Sequence, residues 1–315
     1  MNPAAIPSPN KFWTYDTVAP LISIVVPFYQ YDPSLLAMRL CAMAADFPDE
    51  IELIFADDGS PNGAGAAQVI SAMVNATVPC LVLEFETNLG RAVIRNQLAQ
   101  LARGQYLLFM DCDMMPDEPN FIAIYFQLAL AGISDIVYGG RSTKQIVDPL
   151  PELDLHRVFT AERETLSAAV RSQQPAYHFY SCNFLVRRQV ILSVPIDERF
   201  TGWGWEDCEW AARASESFSL LHIDNPATHF GLLTPQKILM KYEESLGNFS
   251  LMLTLRPEMI VNIKLYKAAC LLRKLHMGVV VKKVARWVVL ESNAPMFMQI
   301  AGLMWFKAAL YSRLV

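Results

Sequence analysis

The sequence lacks the cysteine spacing of a disulfide framework or a zinc site. Its 315 residues include six cysteines, none of which forms a C-x-x-C pair. Isolated cysteines within apolar runs are typical of buried thiols in a reducing compartment. The first 20 residues contain prolines but no apolar core segment, so they do not resemble a secretory signal. These absences predict a cytoplasmic protein.

The sequence also lacks an excess of basic over acidic residues. Lysine and arginine number 26 against 31 acidic residues, which gives a formal net charge of −5. Without a global positive field the chain has little attraction for nucleic acid, and the sequence predicts no nucleic-acid partner. Hydrophobic residues nevertheless make up 53% of the chain, which is enough for a large buried core.

What the sequence does contain is an alternation of short apolar runs with amphipathic segments. Strands are predicted at LISIVVP, IELIFAD, CLVLEF and QYLLFM, with helices over residues 33–46, 64–75 and 91–103 between them. Such alternation favours right-handed βαβ units around a mostly parallel sheet. Further along, DIVYGG and NFLVRR are predicted strands, residues 205–217 a helix, and the polar stretch 141–180 an irregular loop or lid.

Ligands of such sheets bind beyond the carboxyl ends of the strands. In this sequence those ends are Pro27-Phe28-Tyr29, Asp57-Asp58-Gly59-Ser60 and Asp111-Cys112-Asp113. The last is the strongest chemical signal, because two carboxylates after a buried strand are costly unless they are paired or metal-bound. Mg²⁺ and Mn²⁺ prefer such oxygens and usually share them with substrate phosphates. The alternative is a solvated turn.

Two further segments suit nucleotide binding but also have a structural interpretation. Asp57 and Asp58 are turn formers, yet a carboxylate there can accept a hydrogen bond from a nucleotide base. Asn88 is typical of a turn that begins a helix, while Arg95 on that helix can contact a base or a phosphate. The residues alone leave both interpretations open.

Trp203-Gly204-Trp205-Glu206-Asp207 combines aromatic rings with two acids where a helix is predicted to begin. The rings suit the face of a sugar, and a carboxylate is the simplest base for an acceptor hydroxyl. Alternatively, the acids only stabilise the N-terminus of the helix through their negative charge, and the tryptophans belong to the core. His229, within NPATHFG, is either a satisfied structural histidine or a metal ligand.

Taken in order, ISIVVPFYQ, DDGS, NLGRAVIRN, DCD, GWGWED and a downstream histidine resemble the family-2 group of inverting glycosyltransferases. GWGWED is also similar to the C-terminal part of the β-1,4-galactosyltransferase and bacterial chondroitin polymerase group. The resemblance covers roughly residues 20–245. It implies an α/β fold of the GT-A type, a Rossmann-like and mostly parallel sheet flanked by helices, with a C-terminal helical extension.

The resemblance also implies a reaction. A hexosyl or N-acetylhexosaminyl unit passes from a UDP-sugar to a hydroxyl of a glycan or lipid-linked glycan, with Mn²⁺ or Mg²⁺ and inversion, in polysaccharide synthesis. The implied metal ligands are Asp113 and His229, together with Asp111, which is implied to lie near the ribose or a metal-bound water. Asp207 is the implied base, and Glu206 binds the acceptor or donor sugar. Donor contacts are implied at Pro27, Tyr29, Asp57, Asp58, Asn88, Arg95, Asp111 and Trp205.

One departure and two alternatives accompany this hypothesis. Ser181-Cys182-Asn183 stands where many relatives have a glycine-rich segment, which leaves donor-sugar contacts there in doubt. A metal-dependent nucleotidyltransferase is disfavoured, because PFYQYDP is not the Gly-rich, basic loop that such enzymes carry after the first strand. A non-catalytic carbohydrate-binding scaffold predicts the loss of an acid, yet all of them are present: Asp111, Asp113, Glu206 and Asp207.

The sequence predicts an irregular leader over residues 1–20, a GT-A domain over 21–250, and a helical, basic and amphipathic extension over 251–315. No apolar run in the extension reaches the roughly 18 residues of a spanning helix. Its composition suits a helix that lies on the inner face of a membrane. It equally suits a cap packed on the domain or a homo-oligomer interface, and the sequence does not decide among the three.

Overall fold

A computed structural model describes residues 8–9, 18–63, 65–291 and 293–315. Its strands are β1 (Ser8–Pro9), β2 (Ile22–Phe28), β3 (Ile51–Asp57), β4 (Cys80–Glu84), β5 (Tyr106–Met110), β6 (Met114–Pro116), β7 (Ile136–Tyr138), β8 (Arg141–Ser142), β9 (Asn183–Arg187), β10 (Leu220–His222) and β11 (Ala227–His229). Every strand that the sequence predicts is present to within a few residues.

The helices follow the predicted order in the first half of the chain. They are α1 (Ser34–Ala44), α2 (Ala66–Met73), α3 (Arg91–Leu101), α4 (Phe121–Ala131), α5 (Asp154–Arg163), α6 (Ala168–Arg171), α7 (Arg188–Ser193), α8 (Glu206–Ala214), α9 (Pro235–Leu255), α10 (Pro257–Ile260), α11 (Lys264–Lys274), α12 (Gly278–Leu290) and α13 (Met296–Tyr311). The prediction of an irregular stretch over 141–180 is wrong. It contains α5 and α6, and α5 is amphipathic, with Leu155 and Phe159 buried.

The described residues form two compact units. Unit 1 comprises the described residues up to Gln145 together with Thr165–Glu198 and Trp210–Gly231. Unit 2 comprises Ile146–Glu164, Arg199–Glu209 and Leu232–Val315. The predicted leader lies mostly outside the described residues, and the predicted boundary at residue 250 stays a prediction.

Unit 1 is built on a sheet with the strand order β1-β4-β3-β2-β5-β9-β7-β10. β2 pairs in parallel with β3 and β5, and β3 pairs in parallel with β4. β9 runs antiparallel between β5 and β7. Every residue of β2 and β3 is buried, as expected for strands covered on both faces. The predicted α/β class with a mostly parallel sheet is therefore confirmed.

A smaller sheet of unit 1, with the order β6-β11-β8, carries His229. β11 runs antiparallel to β6 and places His229 opposite Met114. The carboxylate of Asp117 accepts hydrogen bonds from Ser142 Oγ at 2.5 Å and from Thr228 Oγ1 at 2.6 Å. Because Ser142 lies in β8 and Thr228 in β11, this carboxylate fixes the register of the small sheet.

Unit 2 is helical. α9 begins after Thr234, whose side chain accepts a hydrogen bond from the backbone N–H of Lys237. α5, α9, α12 and α13 share one apolar core, in which Phe249, Leu303 and Phe306 are fully buried. The predicted C-terminal helices are therefore present. Across the described part of the chain, none of the helices combines the length and the hydropathy needed to cross a bilayer.

Candidate functional site

The strongest candidate centre in unit 1 is the pair formed by Asp113 and His229. Asp113 Oδ2 lies 3.3 Å from His229 Nε2, and the two side chains are only 23% and 17% exposed. Burial acts to raise the pKa of Asp113, but the charge and hydrogen bond of His229 outweigh it, and the pKa is lowered. Within the described residues the Nδ1 atom of His229 has no hydrogen-bond partner.

Gly231 brings the backbone directly against this pair. A Cβ atom at this position would lie 2.1 Å from Asp113 Oδ2 and 2.9 Å from His229 Nε2. The backbone N–H of Phe230 also donates to the carbonyl oxygen of Asp113 at 2.8 Å, which holds residues 229–231 in place. The backbone at residue 231 can therefore approach the carboxylate this closely only because it has no side chain.

The pair fits a hard divalent cation. Carboxylate oxygen and imidazole nitrogen are both ligands of Mn²⁺, and Mg²⁺ takes carboxylate oxygen. Two ligands on adjacent corners of an octahedral ion are about 3 Å apart, close to the 3.3 Å between Asp113 and His229. No cluster of three His, Cys, Asp or Glu side chains occurs among the described residues. A cation held here would complete its coordination with phosphate oxygens or water.

Asp111 has a different partner from Asp113. Its carboxylate forms an ion pair with Arg95 of α3, and Arg95 Nη1 also donates to the carbonyl oxygen of Arg91 at 3.1 Å. Asp111 and Arg95, which the sequence predicts as separate candidates, thus form one ion pair in the structure. Because Asp111 does not complete a cluster with Asp113 and His229, its role as a metal ligand stays a prediction.

The Asp57-Asp58 segment is tied to the loop before α3. Asp58 accepts hydrogen bonds from the backbone N–H groups of Leu89 at 2.8 Å and Gly90 at 3.1 Å. Burial raises the pKa of Asp58, and these two N–H groups oppose that effect. Asp57 is 1% exposed and accepts from the backbone of Ser60 at 2.9 Å. The structure gives Asp58 a role in holding the loop, and the predicted nucleotide contacts stay predictions.

Three further predicted donor residues, Pro27, Tyr29 and Asn88, lie at the same edge of the sheet. Pro27 is buried within β2, so it belongs to the packed end of the strand and has little contact with solvent. Tyr29 is 43% exposed, and its hydroxyl accepts from Gln30 Nε2 at 2.9 Å. Asn88 is exposed and donates through Nδ2 to the carbonyl oxygen of Asp58 at 3.1 Å.

The GWGWED segment lies in unit 2 at the beginning of α8. Trp205 has a φ of 76°, a left-handed conformation that costs a bulky residue on the order of 1–3 kcal/mol. Its indole Nε1 donates to the Tyr311 hydroxyl at 2.9 Å, and that hydroxyl is 2.7 Å from Ser245 Oγ. The Tyr311 ring stacks on Phe249 with centroids 3.8 Å apart. These contacts hold the strained backbone, and such strain is frequent at functional positions.

The two acids of the segment occupy the first turn of α8. Glu206 is 4% exposed, and Asp207 is half-buried. Within the described residues the Oδ1 atom of Asp207 is buried and has no hydrogen-bond partner. A carboxylate oxygen with spare acceptor capacity is suited to receive a proton from a hydroxyl group.

Comparison with known proteins decides the family. The model of glycosyl transferase family 2 matches residues 23–194, which is more than half of the chain. The chain belongs to glycosyl transferase family 2. The matched residues include the Asp57, Arg95 and Asp113 segments and end before GWGWED and His229. The resemblance of GWGWED to the galactosyltransferase and chondroitin polymerase group therefore stays a prediction.

Curated relatives of this family-2 chain are distant. An uncharacterized glycosyltransferase EpsJ from Bacillus subtilis (strain 168) is 26% identical over 177 residues, or 55% of this chain and 49% of the relative. Chondroitin synthase from Escherichia coli is 21% identical over 220 residues, or 61% of this chain and 32% of the relative. The chain spans about half of the first relative's length and a third of the second's.

Solved structures share the fold. The mannosyltransferase PcManGT from Pyrobaculum calidifontis, in complex with GDP-Man and Mn²⁺, has a TM-score of 0.59 at 13% identity, covering 94% of this chain and 89% of that one. TarS from S. aureus has a TM-score of 0.50 at 16% identity, covering 85% of this chain and 44% of that one. These similarities confirm the GT-A fold and, at such low identity, nothing beyond the fold.

Asn183 occupies the segment that departs from the family pattern. It is fully buried, accepts from the Tyr125 hydroxyl at 2.8 Å, and donates to the carbonyl oxygens of Gly140 at 2.8 Å and Asn225 at 3.0 Å. The amide therefore ties β9 to the chain segments around β7 and β11. In this family-2 chain the segment has a structural role that a glycine-rich sequence could not supply.

Tyr31 and Lys307 are residues that the sequence analysis missed. Burial and the charge of Asp113 raise the pKa of Tyr31 to about 12, which places its phenol near the Asp113–His229 pair. Its position just beyond the end of β2 is the signal that could have found it. Lys307 of α13 lies among the aromatic rings of unit 2. It is far in sequence from Trp205 and Tyr242, and no motif marks it.

Gly231→Ala is expected to weaken Mn²⁺ binding by about tenfold, the lower end of the range for changes beside metal ligands. The added methyl group would overlap Asp113 Oδ2, so the carboxylate or the backbone has to shift. Calorimetric titration with Mn²⁺ measures the change. Gly247→Ala is the matched control, because a Cβ there meets nothing within 4 Å. Unchanged Mn²⁺ affinity in Gly231→Ala would contradict the assignment of a cation to this pair.

Proposed function

We propose that the chain transfers one sugar from a UDP-sugar to an acceptor hydroxyl, with a divalent cation and inversion at the anomeric carbon, in the synthesis of a surface polysaccharide or another glycan. The observation that carries the proposal is the Asp113–His229 pair with Gly231 against it, at the carboxyl edge of a family-2 sheet. PcManGT, which has the same fold, was solved with Mn²⁺ and a nucleotide-sugar. Family membership disfavours a nucleotidyltransferase, and retention of all four acids disfavours a scaffold.

The donor is proposed to lie along the carboxyl ends of β2, β3 and β5. Arg95 is held by Asp111, and its Nε is buried without a hydrogen-bond partner among the described residues. That N–H is suited to a ribose or phosphate oxygen. Asp57 and Asp58 are assigned to the uracil side, and Asp113 with His229 to the cation. When bound, the cation neutralises the charge that develops on the departing diphosphate.

We assign the base to Asp207 and the binding of a sugar hydroxyl to Glu206. Asp207 takes the proton of the acceptor hydroxyl as the hydroxyl oxygen forms a bond to the anomeric carbon. The bond from that carbon to the diphosphate oxygen breaks, and UDP leaves with the electron pair. Because attack is on the face opposite the diphosphate, the configuration inverts. The choice between a hexosyl and an N-acetylhexosaminyl donor rests on the resemblance alone.

UDP is expected to bind about tenfold or more tightly than GDP or ADP in calorimetry with Mn²⁺. A carboxylate at Asp57 or Asp58 accepts from the uracil N–H, whereas adenine presents an acceptor at this edge and guanine needs room for a second ring. Asp57→Asn is expected to reduce the preference. A preference for GDP, the nucleotide of the PcManGT donor, would overturn the uridine assignment and leave the fold and the cation site intact.

We further propose that α11 and α12 contact the anionic inner face of a membrane, which places the chain on the cytoplasmic side. Residues 264–315 contain nine basic residues and one acidic residue, although the whole chain has a net charge of −5. Large apolar side chains of these helices and the turn between them are about half exposed or more: Leu271, Leu275, Val279, Val280, Val284 and Trp287. Lys283 and Arg286 are exposed on the same helix as Val284. Apolar contact combined with positive charge is typical of interfacial helices.

The full chain is expected to co-sediment with vesicles that contain phosphatidylglycerol and to stay in solution with phosphatidylcholine vesicles. High salt should release it, since the headgroup attraction is screened. Val284→Glu is expected to reduce binding strongly, while Leu130→Glu, at a position of α4 that is also more than half exposed, leaves it unchanged. Failure of the full chain to co-sediment with anionic vesicles would refute the membrane contact. If light scattering instead shows that Val284→Glu dissociates an oligomer, the exposed surface of α11 and α12 is a subunit interface.

A further inference from the structure

The ammonium group of Lys307 is enclosed by four aromatic rings of unit 2. Its Nζ atom lies 4.9 Å from the ring centroid of Tyr242 and 5.6 Å from that of Trp205. The centroids of Trp203 and Tyr311 are each 5.8 Å away. The ammonium group of Lys307 thus lies over one face of each of the two tryptophan rings. A sugar that stacks on Trp203 or Trp205, as the sequence suggests, would therefore lie beside the charge of Lys307.

The aromatic enclosure is held in place by its own hydrogen bonds. The Trp205 indole donates to the Tyr311 hydroxyl, which contacts Ser245 Oγ. Ser245 Oγ in turn donates to the carbonyl oxygen of Tyr242 at 2.7 Å. The left-handed backbone of Trp205 is part of the same arrangement. The strained backbone conformation of Trp205 is therefore part of the arrangement that places these rings around the ammonium group of Lys307.

The charge of Lys307 is not neutralised within the described residues. The described ion pairs and hydrogen bonds include no carboxylate or carbonyl oxygen that accepts from its ammonium group. Aromatic faces stabilise a cation but leave its charge and its N–H donors available. Lys307 is half-buried, so water or an oxygen-bearing ligand can accept hydrogen bonds from its unused donors.

The acids of α8 are close to this charge. Burial raises the pKa of the Cys208 thiol, Asp207 and Glu206 raise it further, and Lys307 lowers it. The two carboxylates and the ammonium group thus act on one and the same buried thiol. Asp207 and Lys307 therefore share the electrostatic environment of Cys208. An anionic ligand would be repelled by the two carboxylates if Lys307 were absent.

We propose that Lys307 anchors an oxyanion of the acceptor, the carboxylate of a uronic acid or the phosphate of a sugar phosphate, beside Asp207. The inference rests on the proposed function, because it takes Asp207 as the base that receives the acceptor proton. Lys307 is then a specificity-determining residue, and the aromatic rings fix its position. A neutral acceptor lacks the group that Lys307 recognises.

Tryptophan fluorescence provides the test, since Trp203 and Trp205 flank the ammonium group. The full chain is titrated with methyl β-D-glucuronide, D-glucose 6-phosphate and methyl β-D-glucoside. At least one anionic probe is expected to bind about tenfold more tightly than the neutral glucoside. Whichever anion binds better identifies the carboxylate or the phosphate as the natural group.

Lys307→Met and Lys307→Gln are expected to lose the tenfold preference, and Lys307→Arg to keep most of it. Lys283→Met, at an exposed position of α12, is the matched control and should behave as the wild type. Equal affinity of the wild type for the three probes, or an undiminished preference in both neutral variants, would overturn the inference.

Binding of UDP with Mn²⁺ is measured on the same samples. A wild type that does not bind UDP refutes the proposed function, whatever the probes do. A variant that keeps UDP affinity and loses the anion preference separates the acceptor anchor from any loss of folding.

Discussion

Asp113→Ala is expected to lower sugar transfer by at least about 10³-fold, because it removes one of the two side chains proposed to hold the cation. The metal contributes several kcal/mol of charge stabilisation at the leaving diphosphate, and each 1.36 kcal/mol corresponds to a factor of ten in rate. Release of UDP from a UDP-sugar in the presence of Mn²⁺ measures the loss. Excess chelator should reduce the wild type to the same level.

Asp49→Ala is the matched control for this change. Asp49 is an exposed carboxylate of unit 1 that takes no part in the proposed site, so the variant should keep wild-type turnover. Circular dichroism of both variants tests that the fold is retained. Full activity of the wild type in excess EDTA would show that the Asp113–His229 pair is a structural ion pair and would remove the cation from the mechanism.

The second large effect is expected at Asp207. Asp207→Asn keeps the shape of the side chain but removes its capacity to accept a proton, so kcat should fall by about 10² to 10⁴. UDP affinity should stay nearly unchanged, because the group acts mainly in the transition state. Steady-state kinetics and calorimetry on the same preparation separate the two quantities.

Glu206→Gln distinguishes the roles of the adjacent acids. If Glu206→Gln is inactive while Asp207→Asn retains most activity, Glu206 is the base and the assignment is exchanged. Glu258→Gln, at a carboxylate that is 64% exposed, serves as the control for a general effect of charge removal. Activity in both Asp207→Asn and Glu206→Gln would remove the base from this segment altogether.

The fold was largely predictable because its signals are local. β2 and β3 are mostly apolar runs whose residues are all buried, and burial on both faces leaves that pattern in the sequence. α5 was not predicted, because its few apolar residues, such as Leu155 and Phe159, are separated by polar side chains within a mostly polar stretch. An amphipathic helix with so narrow an apolar stripe is easily taken for a loop.

The sequence names candidate site residues but not the contacts among them. The resemblance assigns Asp111 and Asp113 to one cation, and in the structure a turn closed by the Met114 N–H and the Asp111 carbonyl oxygen follows β5. One carboxylate then meets Arg95 and the other meets His229. No local pattern specifies such pairings, because each depends on where a helix or strand from elsewhere in the chain is placed.

The distance between Asp113 and His229 along the chain has a thermodynamic consequence. The two side chains meet only when β6 pairs with β11, so a denatured chain offers a cation no such pair. A ligand that binds the native state alone stabilises it by mass action, by about 2.7 kcal/mol at a hundredfold excess over its dissociation constant. Under the proposed assignment, the free Mn²⁺ or Mg²⁺ concentration then affects the free energy of unfolding of the enzyme as well as its rate of turnover.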